Sequence, residues 1–345
     1  MTGKLSCLAT GIGSLPHTSP KEACDLIVAN LEDIPFWPQL SNLSFKENMY
    51  AQFLYHLPGV IIDEKEKRVT VDENADPNAV DEFLARLISG DVEHFAYSEE
   101  YFQGLFEMLK RKDQLEAITI FKGQITGPIS LGFQVTDENR KPIFYNDIYR
   151  DMIIKSLGAM AKWQEKTLRT LCDRTLIFVD EPFLSMIGSA FISITRENAV
   201  AHMNEVLEVM DGMKAIHCCA NTDWGLVAQC AIDVLSFDAY EFSDSLFLYS
   251  EDVIKFIESG GMVAWGIVPN NEESLARENV KTLIARLEGV MKQLAAKGIS
   301  MDDILSSSLI TPACGLGPTT VECAEKALPF LTEISDIMRE KHGFA

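Results

Sequence analysis

The sequence predicts an α/β protein, specifically a (β/α)8 TIM barrel with an N-terminal elaboration. Short apolar runs rich in β-branched residues alternate with helical patterns in which apolar residues recur every three or four positions. A doubly wound open sheet would show the same alternation, and the number of runs favours the barrel. The predicted strands cover residues 9–13, 94–98, 117–126, 176–181, 214–219, 234–240, 262–269 and 308–314.

Two regions depart from the simple strand-and-helix repeat. Residues 32–75 contain the aromatic, Pro-containing segments FWPQL and HLPGV, followed by a charged hairpin-like run, IIDEKEKRVTV. Residues 145–172 have the pattern of one very long helix. Because no Ser-, Gly- or Pro-rich linker divides the chain, we expect residues 1–345 to form a single barrel domain in which 32–75 is an insertion or elaboration.

Composition and charge exclude several classes of function. Hydrophobic residues make up 47% of the chain, which supplies enough apolar material for a large core. The net charge of -21, from 51 acidic and 30 basic residues, opposes binding to nucleic acid or to an anionic membrane. The first residues carry no apolar export signal, and no apolar run approaches the roughly 20 residues needed to cross a bilayer. We therefore expect a cytoplasmic protein.

In the reducing cytoplasm the eight cysteines are expected to be core residues, metal ligands or nucleophiles rather than a disulfide framework. Several lie in apolar surroundings without reactive neighbours, where a free Cys packs as a small hydrophobe. Those assigned to packing are Cys7, Cys24, Cys172, Cys230 and Cys323.

The functional side chains of a barrel come from the C-terminal ends of its strands. The residues at these ends are of unusually reactive types. They are Gly13 and Ser14, Thr126, Asp180 and Glu181, His217 to Cys219, Asp238 with Glu241 nearby, and Cys314.

A metal site is the strongest prediction from this set. Side chains alternate along a strand, so His217 and Cys219 face the same way while Cys218 faces the opposite side. Cys314 completes a His/Cys/Cys set that suits Zn²⁺ with one open coordination position, and the spacing is unlike the paired ligands of a zinc finger. The alternative is that all four residues are ordinary core residues near strand ends.

An ordered set of short motifs resembles the catalytic half of cobalamin-independent methionine synthase. That family belongs to a superfamily with uroporphyrinogen decarboxylase and the corrinoid-dependent methyltransferases. The resemblance covers most of the chain and lies in IGS at 12–14, TGP at 126–128, DEP at 180–182, HCC at 217–219 and ACGLG at 313–317.

The resemblance implies a zinc-dependent methyltransferase that converts homocysteine to methionine. His217, Cys219 and Cys314 would hold the zinc ion together with one carboxylate. Glu241 matches the family's interval from the His, whereas Asp238 matches the position at the end of the strand, so both stay open as the fourth ligand.

The resemblance also implies how the amino acid would be held. Ser14 and the backbone of Ile12 and Gly13 would bind its carboxylate, and Asp180 would bind its ammonium group. Asp180 and His217 are the residues it assigns to the catalytic step. Strand-end turn residues with a capping role are the alternative for positions such as Ser14.

The sequence departs from the family in two ways that bear on the methyl donor. The N-terminal barrel of full-length methionine synthase, which helps to bind folate, has no room in this chain, and the family's His-Gly-Glu segment is missing. Because the negative charge also disfavours a polyanionic folate tail, a methylated corrinoid protein or free methylcobalamin is the preferred donor and a methylfolate the other.

Three other functions remain open. One is methyl transfer to another thiol, such as coenzyme M. Another is a decarboxylase of the uroporphyrinogen type, although the first strand end, GIGSLPHT, lacks an Arg for substrate carboxylates. The third is a non-catalytic barrel that binds zinc or a thiol.

Overall fold

The computed structural model describes residues 5–344 and shows an α/β fold. Seven of its strands form one parallel sheet in the order β1-β9-β8-β7-β6-β5-β4, and β2 and β3 form a separate antiparallel hairpin. The strands are Leu8–Ala9 (β1), Val60–Asp63 (β2), Arg68–Val71 (β3), Phe121–Thr126 (β4), Thr175–Asp180 (β5), Met213–Cys218 (β6), Val234–Phe237 (β7), Met262–Val268 (β8) and Ser308–Pro312 (β9).

Helices connect the parallel strands, and many begin with a Ser, Thr, Asp or Asn cap whose side chain accepts an N–H of the first turn. Within the described residues, no helix is both long enough and apolar enough to span a membrane. The α-helices are Pro20–Asn30 (α1), Ala51–Leu54 (α2), Pro77–Ser89 (α3), Gln103–Leu109 (α4), Pro128–Gln134 (α5), Asp147–Leu168 (α6), Arg196–Leu207 (α7), Trp224–Val227 (α8), Ser243–Phe247 (α9), Ser250–Glu258 (α10), Glu272–Arg277 (α11), Val280–Ala295 (α12), Met301–Ser306 (α13) and Val321–His342 (α14).

The strands of the parallel sheet are buried on both faces, as expected for a sheet wrapped by helices. Alternate residues form a small inner core, which includes Leu176, Phe178, Ala215, Val234 and Leu309. The intervening residues pack outward against the helices in a much larger core. This division into two layers follows from the two-residue period of a strand.

The regular sheet leaves an opening between β1 and β4, and residues 33–40 lie in it. This segment forms single parallel bridges on both sides, from Gln39 to Ser14 and from Phe36 to Lys122. The Gln39 N–H donates to the Gly13 carbonyl at 2.9 Å. Seven strands are therefore regular, and the complete eight-stranded barrel of the sequence prediction is not confirmed.

The predicted strand at 94–98 is wrong. Val92–Phe95 forms a short 3-10 helix capped by Asp91, whose side chain accepts the His94 N–H. The segment's aromatic residues pack in the outer core rather than in the sheet, with the Phe95 ring edge-on to Phe83. An apolar run this short fits a strand or a helical turn equally well, and here tertiary packing decides.

Two other predictions from the sequence are confirmed. The charged run after residue 59 forms the β2–β3 hairpin, with Val60 opposite Val71 and Asp63 opposite Arg68. The long helical pattern corresponds to α6, which begins at an Asn146 cap.

Candidate metal centre

A cavity of about 420 Å³ lies at the C-terminal ends of the parallel strands, where a barrel places its functional residues. Most of the predicted site residues line it, together with several residues that were not predicted. The lining residues are Ile12, Ser14, Gln39, Ser41, Glu47, Asn48, Met49, Tyr50, Asp180, Pro182, His217, Cys219, Asn270, Cys314, Gly315 and Pro318.

His217, Cys219 and Cys314 come together as predicted, and one ligand atom from each lies within 4.8 Å of the others. His217 is in β6, and Cys219 follows that strand directly. Cys314 comes from the loop after β9. Two distant parts of the chain thus bring an imidazole and two thiols to one point of the cavity wall.

The ring of His217 is oriented by a neighbouring strand. Ser236 in β7 is its register partner, and the Ser236 hydroxyl lies 2.9 Å from Nδ1. The side chain is only 4% exposed, yet Nε2 has no hydrogen-bond partner among the described residues. A buried ring nitrogen without a partner is costly unless something else fills its place, and a metal ion would do so.

The two thiols form an electrostatically coupled pair. A hydrogen bond from the Cys314 thiol lowers the pKa of Cys219, and His217 lowers it further. The same hydrogen bond, followed by burial, raises the pKa of Cys314. The site therefore favours negative charge on the Cys219 sulfur, which is the state in which Cys binds a metal, and keeps the proton of the pair on Cys314.

Burial keeps cysteines outside the cluster, such as Cys7 and Cys218, as neutral thiols. Cys218 faces the outer core, as strand alternation predicts, and its thiol approaches the Ala220 carbonyl at 3.8 Å. Burial raises the pKa of Cys218, and likewise that of Cys7, to about 12.

The fourth-ligand candidates differ in position. Asp238 is buried, and its carboxylate accepts the Glu241 N–H at 2.8 Å. Burial raises the pKa of Asp238 to about 6, and the nearby Cys219 adds to that rise. The Glu241 side chain is exposed. Neither carboxylate belongs to the three-residue cluster of ligand atoms within the described chain, so the choice stays a prediction.

Asp180 ends β5 beside His217, its register partner. It lines the cavity, and its Oδ1 has no hydrogen-bond partner among the described residues. Lys122, which was not predicted as a site residue, is completely buried nearby in β4. Burial raises the pKa of Asp180 and lowers the pKa of Lys122, while the attraction between the two charges opposes both shifts.

Lys122 also supports the first strand end. Its Nζ donates to the Ile12 carbonyl at 2.5 Å and to the Gln124 side chain at 3.1 Å. The adjacent Gly13 lies so close to Gln124 that a Cβ there would be 2.7 Å from the amide carbon. The sequence carried a weak signal for this arrangement: a Lys and a Gln alternating within an otherwise apolar strand.

Ser14 packs against the loop that carries Cys314. Its hydroxyl accepts the Gly317 N–H at 3.1 Å, and a Cβ on Gly315 would lie 2.2 Å from the same oxygen. The two glycines thus allow the first strand end and the Cys-Gly-Leu-Gly loop to meet at the cavity.

Two further carboxylates are buried near the site: Glu47, which no sequence pattern indicated, and Glu181, which was predicted at a strand end but given no role. Glu47 lines the cavity and accepts the N–H groups of Leu40 and Gln103. Glu181 accepts those of Ile129 and Ser130. Burial raises the pKa of each to about 7. Their backbone contacts indicate that they hold loops in place around the cavity.

Comparison with known proteins shows the fold but no family. No protein-family model matches the sequence, and no curated protein matches it. A solved structure of a B12-independent methionine synthase from Shewanella sp. W3-18-1, in complex with selenomethionine, superimposes with a TM-score of 0.61 at 15% identity, covering 97% of this chain and 98% of that one. A methyltransferase from Methanosarcina mazei superimposes with a TM-score of 0.58 at 13% identity, covering 96% of each chain. At such identities the likeness shows that the chain shares their fold.

Proposed function

We propose that this protein is a zinc-dependent methyltransferase that transfers a methyl group to the thiol of homocysteine to give methionine. The observation that carries the proposal is the convergence of His217, Cys219 and Cys314 within 4.8 Å at the wall of the cavity. The fold is shared with a methionine synthase and a methyltransferase, which agrees with this chemistry.

The donor set fits Zn²⁺. One imidazole and two thiolates are ligands that zinc prefers, and the unpaired Nε2 of His217 is the atom that would bind. A zinc ion held there would supply Lewis acidity that keeps a substrate thiol deprotonated near neutral pH. We propose that the fourth ligand is Asp238 or Glu241, and Asp238 is favoured because it is buried near Cys219.

The residues of this chain would bind and orient the amino acid. In the proposal, Asp180 accepts the ammonium group, because it lines the cavity and its Oδ1 has no hydrogen-bond partner among the described residues. Ile12 and Ser14 line the same cavity, and Ser14 with the backbone of Ile12 and Gly13 would hold the carboxylate. In the transfer, the thiolate sulfur forms a bond to the methyl carbon as the bond from methyl to donor breaks, and the electron pair of that bond stays with the donor.

The charges at the cavity support an amino-acid thiol over the alternatives. Among the described residues that line it, none is Lys or Arg, while Glu47 and Asp180 are acidic. A sulfonated thiol such as coenzyme M, or a porphyrinogen with many carboxylates, needs basic partners that this wall does not supply. A substrate ammonium group has an acceptor in Asp180. For the donor, we propose a methylcorrinoid, free or carried by a corrinoid protein, with a methylfolate as the alternative.

Metal content is the direct test. Purified wild type should contain about one zinc ion per chain, and zinc-edge absorption should show one additional sulfur ligand when homocysteine is added. Cys314→Ser should lose most of the zinc. Cys218→Ala is the matched control because its thiol faces the outer core, and it should keep the metal. A wild type that neither contains nor takes up zinc would contradict the proposal.

Turnover tests the substrates separately. Zinc-loaded enzyme should methylate homocysteine and leave coenzyme M unmodified. Parallel reactions with methylcobalamin and with methyltetrahydrofolate identify the donor. If coenzyme M is methylated and homocysteine is not, the acceptor is a different thiol, and the proposed metal site still stands.

A further inference from the structure

A second cavity, of about 400 Å³, adjoins the candidate metal centre. It shares two lining residues with the first cavity, Asn48 and Tyr50, so these side chains stand between the two. One side of it comes from the β2–β3 hairpin and the other from the segment that follows α5. Its lining residues are Phe45, Asn48, Tyr50, Lys67, Arg68, Val69, Gln134, Val135, Thr136 and Arg140.

The charge of this second cavity is opposite to that of the whole protein. Lys67, Arg68 and Arg140 line it, and none of its described lining residues is acidic. The chain as a whole has 51 acidic and only 30 basic residues. Within residues 5–344, none of the three forms an ion pair or a side-chain hydrogen bond, so all three charges are available to a ligand.

Backbone contacts fix the two segments that carry these three cations. Thr70 of the hairpin forms a bridge with Thr136, and the Val71 N–H donates to the Thr136 carbonyl at 3.0 Å. The turn that carries Arg140 is closed by Asp137, whose carboxylate accepts two backbone N–H groups at 2.8 Å. The hairpin and the turn are thus fastened to each other on either side of the cavity.

Two of the three cations adopt a backbone conformation that L-residues rarely take. Lys67 has φ 50° and Arg140 has φ 64°, and within the described chain Cys7 is the one other non-Gly residue with positive φ. Gly would fit both positions without strain. Strained positions that carry a charged side chain into a cavity are a reason to look for a function there.

The wall between the two cavities is close to the metal ligands. Tyr50 lies near enough to Glu181 and Cys219 that their charges, after burial, help to raise the pKa of Tyr50 to about 12. Its hydroxyl is therefore neutral, and it can donate a hydrogen bond toward either cavity. A molecule seated in the basic cavity would extend past Tyr50 toward the thiol acceptor.

We propose that this basic cavity binds an anionic group, a phosphate or a carboxylate, of the methyl donor. The inference rests on the proposed function, because it places the donor's methyl group beside the acceptor site and its anionic group between the hairpin and Arg140. It also gives the β2–β3 hairpin a role, because the hairpin supplies Lys67 and Arg68 to this cavity. A phosphodiester would come from a corrinoid nucleotide, and carboxylates would come from the glutamates of a folate.

The test compares two triple variants with the same change in charge. The cavity variant carries Lys67→Gly, Arg68→Gln and Arg140→Gly, in which Gly preserves both left-handed turns. The control variant carries Lys65→Gln, Lys281→Gln and Lys297→Gln, all exposed and outside the cavity. Calorimetry on the zinc-loaded full chain would measure the Kd of methylcobalamin, of methyltetrahydrofolate triglutamate and of homocysteine.

In the cavity variant, the Kd of one donor should rise about tenfold, and more at low than at high salt. The Kd of homocysteine should stay unchanged, as should every Kd in the control. A weaker Kd for methylcobalamin would identify the anionic group as a phosphate, and a weaker Kd for the folate would identify it as a carboxylate. The inference is overturned if neither donor binds wild type, or if both variants lose the same affinity. Charge-dependent donor binding without any methyl transfer would instead contradict the proposed function alone.

Discussion

At the scale of single residues, the Ser236 hydroxyl orients the ring of one candidate metal ligand, His217. Ser236 accepts or donates at Nδ1 of His217, so the other ring nitrogen is turned toward the cavity. Outer partners of this kind fix the ring orientation and tautomer of metal-binding histidines. Ser236 itself is fully buried in β7 and does not line the cavity.

We expect Ser236→Ala to weaken zinc binding about tenfold or more while the fold persists, because the imidazole loses the contact that orients it. The measurement is zinc affinity by competition with a chromophoric chelator. Thr311→Val is the control, since it removes a buried hydroxyl that has no partner among the described residues. Equal zinc affinity in wild type and Ser236→Ala would show that the ring is held by packing alone.

The sequence predicted the chemically distinctive residues of the site better than their supports. His217, Cys219 and Cys314 were recognisable because reactive residue types stood at strand ends in an alternating pattern. Ser236 gave no signal, since a Ser within a short apolar strand has no preferred partner until the neighbouring strand is placed. Lys122 was overlooked because its charge is balanced by Asp180 only in three dimensions.

At the scale of elements, the β2–β3 hairpin depends on the residue that precedes it. Gly59 has φ 77°, and a Cβ there would lie 2.4 Å from the Asp72 carbonyl oxygen. That carbonyl also accepts the Tyr149 hydroxyl of α6. The start of the hairpin is thus held against both its own far end and the long helix.

We expect Gly59→Ala to destabilise the hairpin more than a left-handed conformation alone would explain. Gly90→Ala is the matched control, because Gly90 has φ 69° but open space around its Cβ position. The control should lower the free energy of unfolding by about 1 kcal/mol, and Gly59→Ala should lower it by about 2 kcal/mol or more. Hydrogen exchange of the amides of β2 and β3 would measure the difference, and similar exchange in both variants would contradict the steric argument.

The strand that the sequence misplaced shows the limit of patterns at this scale. The position between β1 and β4 belongs to residues 33–40, which contain Pro35 and Pro38. Because Pro lacks an N–H, this segment pairs through single bridges rather than a ladder, and its pattern is not that of a strand. The apolar run at 94–98 took its place in the prediction because nothing local distinguishes a short strand from a 3-10 turn.

At the scale of the whole molecule, one buried amide joins the parts that surround this opening. Gln164 of α6 accepts the Trp37 indole N–H at 2.8 Å and donates to the Tyr97 hydroxyl and to the Gln124 carbonyl. It therefore connects the long helix, the 33–40 segment and β4. Its side chain is fully buried, so no water replaces a lost contact.

We expect Gln164→Leu to lower the free energy of unfolding by about 3 kcal/mol or more, because three buried polar groups lose their partner at once. Urea denaturation would measure the loss. Gln229→Leu is the control, since this exposed side chain donates, among the described residues, only to the Gly225 carbonyl one helical turn away, and its loss should change stability by less than about 1 kcal/mol. Equal losses in the two variants would show that the amide network adds nothing beyond local packing.

The sparse pairing on both sides of residues 33–40, through single bridges, bears on how the protein behaves in concentrated solution. β1 and β4 are the outer strands of the regular sheet, and an uncovered strand edge can pair with another chain and begin aggregation. A charged side chain that points inward from such an edge discourages this, and Lys122 of β4 is so placed. If residues 33–40 were displaced, a second chain that paired with β4 would have to bury the ammonium group of Lys122. The same lysine that supports the first strand end would then keep a partly opened molecule from joining its neighbours.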